Sequence, residues 1–151
     1  MEAFRSSRIE PGFWFFAETR KEAAVMTLEH EEITGKIIGA AIEVHRTLGP
    51  GFVESIYENA LLVELRHRGI QFQRQVSVPV LYRDVEVGLH RLDLLVTGII
   101  VVELKAVKAI TDAHFAFVRS YLRAIGREHG LILNFAKPTL EIKRVRAISS
   151  D

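Results

Sequence analysis

The sequence predicts a single domain of mixed α/β (α+β) type, with helices packed around one central sheet. Three observations carry that expectation. Apolar residues recur at helical spacing from Glu31 to Leu48 and again from Phe52 to Arg68. Between Ile70 and Lys105, alternating or continuously apolar runs read as strands. A third amphipathic stretch, Ala113 to Ile125, is followed by two more strand-like runs. With 151 residues, 48% hydrophobic and 26% charged, the chain has the composition of a globular domain and the length to bury a core.

Taken in order, residues 1–26 read unlike the rest, with Arg, Ser, Pro and Gly ahead of an aromatic cluster and no clear period. They are expected to form a loosely attached extension, or to reflect an upstream start codon, with the domain proper at 27–151. Phe13-Trp14-Phe15-Phe16-Ala17 lies between Glu10 and Glu18 and is too short for a signal peptide or a membrane span. The first helical stripe is Ile33, Ile37, Ala41, Val44 and Leu48, broken by Gly49-Pro50-Gly51. The second helix places Phe52, Ile56, Ala60 and Leu61 toward the core and closes at Gly69. Glu54 falls in its first turn, where the helix dipole favours a carboxylate, and Tyr57 follows on the same face. Taken alone, Glu54 reads as an ordinary first-turn acid.

Ile70–Tyr82 alternates as a strand, with Phe72, Val76, Val78 and Val80 inward and Pro79 restricting it to an edge. Arg83-Asp84 forms a turn, Val85–Leu89 a short separate strand, and the hairpin Leu92–Lys105 follows. Thr111-Asp112 caps the helix Ala113–Ile125, whose apolar side holds Phe117, Val118, Tyr121, Leu122 and Ile125; Gly126 ends it. Gly130–Phe135 reads as a buried strand. Leu140–Val145 reads as an exposed edge strand, open to homodimer formation by edge pairing.

The hairpin is the informative stretch, because Asp93, Glu103 and Lys105 stand in an otherwise apolar run. Such charges cost several kcal/mol (about) in a sheet interior unless they are paired or hold a metal. Alternation puts Glu103 and Lys105 on one face. A three-residue loop, Val96-Thr97-Gly98, would set Asp93 opposite Val101 and make Asp93 a diagonal neighbour of Glu103, roughly 7–8 Å away. A two-residue loop would separate the two acids onto opposite faces.

Other chemistries are poorly served. The chain has no cysteine, which excludes disulfides and thiolate zinc sites and is compatible with the cytoplasm. It has no glycine-rich phosphate loop, HExxH helix or nucleophile elbow. Histidines 30, 45, 67, 90, 114 and 129 are scattered without a close ligand pair. The net charge of +1 argues against a strongly basic coat. Lys105, Lys108, Arg119, Arg123 and Arg127, against Asp112 alone, still give a local positive surface suited to a phosphate backbone, or a solvated helix face.

Asp93 followed by Glu103-Leu104-Lys105 resembles the D…(D/E)xK signature of the PD-(D/E)xK nuclease superfamily. Gly51-Phe52-Val53-Glu54-Ser55-Ile56-Tyr57 is similar to GxxExxY, the pattern of a small prokaryotic family within it. The similarity covers roughly Glu31 to Arg146 and implies a restriction-endonuclease-like fold, a central mixed sheet flanked by helices. It implies that Asp93 and Glu103 bind Mg²⁺ or Mn²⁺ with the Leu104 carbonyl, that Glu54 completes the acidic cluster, and that Lys105 orients the attacking water. Tyr57, Tyr121 and His114 would support the site, and Lys108, Arg119 and Arg123 would hold DNA. One departure stands out: where many relatives carry Gln four residues before Tyr121, this chain has Phe117. Three readings follow: a metal-dependent nuclease acting on DNA, a catalytically weak nuclease-fold protein binding nucleic acid or a protein partner, and a merely structural buried ion-pair cluster.

Overall fold

The computed structural model describes residues 20–147, with side chains from residue 29 onward; residues 1–19 of the expected extension lie outside it. Eight elements follow one another: α1 (Arg20–Leu48), α2 (Glu54–His67), β1 (Phe72–Tyr82), β2 (Val85–Val96), β3 (Ile100–Lys105), α3 (Asp112–Ile125), β4 (His129–Asn134) and β5 (Glu141–Arg146). The first helix begins ahead of the expected Glu31. The stretch Val85–Leu89 is no separate strand but the start of the twelve-residue β2.

The strands form one five-stranded sheet in the order β1-β2-β3-β4-β5. Only β3 and β4 run parallel, joined by α3 as the crossover, so the sheet is mixed. As Pro79 requires, β1 is an edge strand. Helices α1 and α2 cover one face, where Ile37, Ala41, Leu61 and Leu65 pack on Ile100, Val102, Leu104, Leu131 and Leu133. Helix α3 covers the other, packing Val118, Leu122 and Ile125 on Val101 and Ile132. Alternation along β3 and β4 thus sends successive side chains to the two cores, which is why both strands read as continuous apolar runs. Gly130 lets α3 approach: a Cβ there would stand 2.8 Å from Val118 Cγ1.

The second helix is rotated from its expected face. Tyr57, Leu61, Leu62 and Leu65 are buried, whereas Phe52 and Ile56 are exposed. Tyr57 takes the inward position because its ring stacks on Phe135, 4.6 Å between centroids. On α3, Phe117 is likewise exposed rather than part of the apolar side.

The central irregularity lies across β1 and β2. Phe72 on β1 and Leu94 on β2 pack with the α1/α2 core, while Val76 and Leu92 pack with the α3 core. Residues at that spacing on a regular strand would share a face. Both strands therefore switch faces at one level, where the ladder skips Gln75 and Asp93 and Gln75 adopts φ +50°.

Candidate active site

The hairpin loop has three residues, but they are Thr97-Gly98-Ile99, one position beyond the expected loop. Val96 pairs with Ile100 and Leu94 with Val102. Thr97 and Gly98 both take positive φ, 52° and 72°, which sets the tight reversal. Asp93 therefore falls directly opposite Glu103, one step past the last paired residues, rather than diagonal to it.

At that step side chains replace the ladder. The Asp93 N–H donates to Glu103 Oε1 at 3.1 Å, and the Leu104 N–H donates to Asp93 Oδ2 at 3.0 Å. Two backbone donors that the sheet leaves over are thus satisfied by the two carboxylates, which fixes both side chains. Glu103 is only 6% exposed. Burial, and next the charge of Asp93, push its carboxyl up to about 8, against the opposing pull of Lys105. Glu54, the first residue of α2, reaches the same edge, where the backbone at Ala106, just after β3, favours its charged form. Burial raises its pKa, Lys105 opposes that shift, and Asp93 adds to it. Four charged groups from α2, β2 and β3 therefore share one field at the C-terminal end of β3.

The family model of the PD-(D/E)XK nuclease superfamily matches residues 31–145. The chain belongs to that superfamily. Its mixed sheet flanked by helices is a restriction-endonuclease-like fold. The solved structure of a protein called SSO0001 is similar at a TM-score of 0.50 and 15% identity over 64% of this chain, a likeness of fold. The chain spans half the length of that protein, 50%. No curated protein matches.

In this PD-(D/E)XK domain the site opens into a cleft of about 150 Å³ between β3 and α3, lined by Glu103, Lys105, His114, Phe117, Tyr121 and others. Tyr121 sits 8% exposed in the cleft wall, its hydroxyl pushed up to about 12 by burial and then by Glu103 and Asp93. His114 closes the first turn of α3, its Nδ1 accepting from the Thr111 N–H at 2.9 Å. Tyr57 directs its hydrogen bonds to the turn rather than to Glu54. Its hydroxyl donates to the Gly49 carbonyl at 2.6 Å and accepts from the Phe52 N–H at 3.2 Å, holding the turn that delivers Glu54. Leu104 buries its side chain in the opposite core and stands opposite Leu133 in the β3–β4 ladder. Lys108 and Arg123 are exposed, on the loop before α3 and on α3 itself. Arg119 is half-buried, its guanidinium 5.7 Å from the Phe115 ring centroid and its Nε unpartnered.

Four residues near the site escaped the sequence reading. Gln75 stands opposite Asp93 and its Nε2 donates to Glu58 Oε1 at 2.7 Å, one helical turn from Glu54. Glu58 in turn contributes to the raised pKa of Glu54. His90 stands edge-on to Tyr121 at 4.9 Å and to Phe117 at 6.3 Å. Asn134, fully buried opposite Lys105, uses its whole amide. Oδ1 accepts from Val107 and Ala136 N–H, and Nδ2 donates to the Val107 carbonyl and Glu141 Oε1. A polar residue inside Leu131-Ile132-Leu133-Asn134-Phe135 was the available signal for Asn134, the same kind that exposed Glu103.

Proposed function

We propose that this protein is a metal-dependent nuclease of the GxxExxY kind that hydrolyses phosphodiester bonds of DNA. The observation that carries the reading is the reciprocal pairing of Asp93 and Glu103 beside Lys105 and Glu54. The donor set fits a hard divalent cation, Mg²⁺ or Mn²⁺. Asp93 and Glu103 each commit one oxygen to a backbone N–H and retain another, Glu54 reaches the same edge, and the Leu104 carbonyl would serve as a further ligand. A buried carboxyl that holds its proton up to about 8 beside a second carboxylate also marks a place where positive charge is wanted. A cation there supplies an acidified water and neutralises charge on the scissile phosphate.

The side chains then divide the work. Lys105 holds the attacking water and stabilises the negative charge that develops on the phosphate. Asp93 and Glu103 cannot swing away, because each is tied to the other's strand. Lys108 on the loop before α3, with Arg119 and Arg123 on α3, holds the DNA backbone. Cytoplasmic residence, and homodimerisation through the outer edge of β5, belong to the same proposal. No helix among the described residues is long and apolar enough to cross a membrane.

Incubation of the purified chain with single- and double-stranded DNA and Mg²⁺ or Mn²⁺ tests the reading. Cleavage is expected, with Asp93→Ala and Lys105→Ala each reducing it by about 10²-fold or more. Wild type and variants cleaving alike would refute it.

One observation favours a second reading, a nuclease-fold protein that binds DNA or a protein partner with little turnover. Phe117 is 54% exposed at the cleft mouth, and a phenyl ring offers no hydrogen bond to water or phosphate there. On that reading wild type binds DNA without cutting it, and Phe117→Gln gains cleavage.

A further inference from the structure

At the opposite end of the sheet the fold assembles a second group of ligand-type side chains. His129 begins β4 and pairs across to Ile100 on β3, whereas Asn134 at the other end of β4 pairs with Lys105. Five residues of strand, about 17 Å, therefore separate it from the carboxylate site. His30 on α1, remote in sequence, meets His129 edge-on with ring centroids 4.7 Å apart and planes at 64°. Glu128 stands beside them. One ligand-type atom each from His30, Glu128 and His129 lies within 4.8 Å of the other two. The scattered histidines of the sequence thus do contain a close pair, created by packing α1 on the sheet.

These groups face one another without being hydrogen-bonded as a set. Glu128 Oε2 and His129 Nε2 are 3.7 Å apart, beyond hydrogen-bond length. His129 also lines an open cleft of about 200 Å³, together with Glu31, Thr34, Arg144 and Arg146. Two imidazoles and one carboxylate form a mixed nitrogen–oxygen set. That set suits Zn²⁺ and its borderline neighbours, whereas Mg²⁺ prefers oxygen alone. Bonds of 2.0–2.1 Å (about) to a tetrahedral Zn²⁺ place donor atoms roughly 3.4 Å apart. Side-chain rotation of about an ångström from the present spacing closes the set. An open cleft leaves room for water as the fourth ligand.

We propose that His30, Glu128 and His129 bind a Zn²⁺-class cation that clips α1 to the start of β4, separate from the carboxylate site. The clip joins residues at positions 30 and 129 and so ties α1 to the central sheet it packs on. It does not depend on the protein being a nuclease.

Thermal unfolding of the chelator-stripped full chain, with Zn²⁺ or Mg²⁺ added, tests this, together with the Co²⁺ absorption spectrum. Zn²⁺ is expected to bind with 1:1 stoichiometry and, at 100-fold excess over its Kd, to raise Tm by about 5–10 °C. Asp93→Ala should retain that rise, while His30→Asn and His129→Asn lose it together with the visible Co²⁺ bands. If His129→Asn fails to fold, His30→Asn and Glu128→Gln, the latter altering an exposed side chain, carry the test. A Zn²⁺ response that survives in His30→Asn, one that disappears in Asp93→Ala, or no response in wild type would each overturn the site.

Discussion

At the scale of single residues, Glu103 and Gln75 show what the site costs. Glu103 keeps its proton up to about 8 in the folded chain, whereas an unfolded glutamate releases it near 4.5. Folding therefore takes up a proton between those values. The stabilisation linked to it is complete below about 4.5 and is lost as pH rises through about 8. Metal-free protein should accordingly lose denaturant stability between pH 5 and pH 8.5 (about), and Glu103→Gln should flatten that slope. A slope unchanged by Glu103→Gln would show that another group carries it.

Gln75 holds a left-handed backbone, a conformation that costs a non-glycine residue about 1–2 kcal/mol. Its side chain recovers part of that through Glu58. Gln75→Gly relieves the backbone while losing the hydrogen bond, and should leave stability within about 1 kcal/mol of wild type. Gln75→Val keeps the strain, adds a branched Cβ and loses the hydrogen bond, so it should cost about 2–3 kcal/mol by chemical denaturation. Equal losses in the two variants would mean that the backbone at Gln75 stores nothing.

At the scale of elements, the strand β3 and its neighbours decide where the charges go. Glu103 and Asp93 were legible because charge in a Val/Ile/Leu run is expensive. Their register was not, because a three-residue loop can begin at Val96 or Thr97 with the same glycine in the turn. Side-chain hydrogen bonds that form only after folding choose between them. The rotation of α2 was hidden for a similar reason. Phe52 and Ile56 are more apolar than Tyr57, but only Tyr57 can stack on Phe135 while its hydroxyl satisfies the Gly49–Phe52 turn. Nor does the sequence mark the joining of Val85–Leu89 to the Asp93 strand, since pairing with β1 carries β2 through that region. Asn134 belongs to this scale too, because it fastens the chain leaving β3. Asn134→Leu keeps the volume but strands the Val107 amide and carbonyl, and should cost about 2–4 kcal/mol and open the segment 106–111 to proteolysis. A variant as stable and protease-resistant as wild type would remove Asn134 from that role.

For the whole molecule, helices, sheet and mixed character follow from the order of periodicities, and the D…ExK and GxxExxY patterns locate the carboxylate site. Sequence could not convey the simultaneous change of face in β1 and β2, which frees Asp93 from the ladder and aims it at Glu103. Nor could it convey the meeting of His30 with His129, which requires the whole tertiary fold. The central claim is that this sheet irregularity builds a divalent-cation centre rather than an ion-pair cluster. Magnesium titration of the metal-free chain, followed by thermal unfolding at pH 7.5–8 (about), tests it most directly. Mg²⁺ avoids the histidine set at the far end of the sheet. The account predicts saturable stabilisation of wild type that Glu103→Ala and Asp93→Ala both abolish. No stabilisation of wild type, or the same stabilisation in all three proteins, would contradict it.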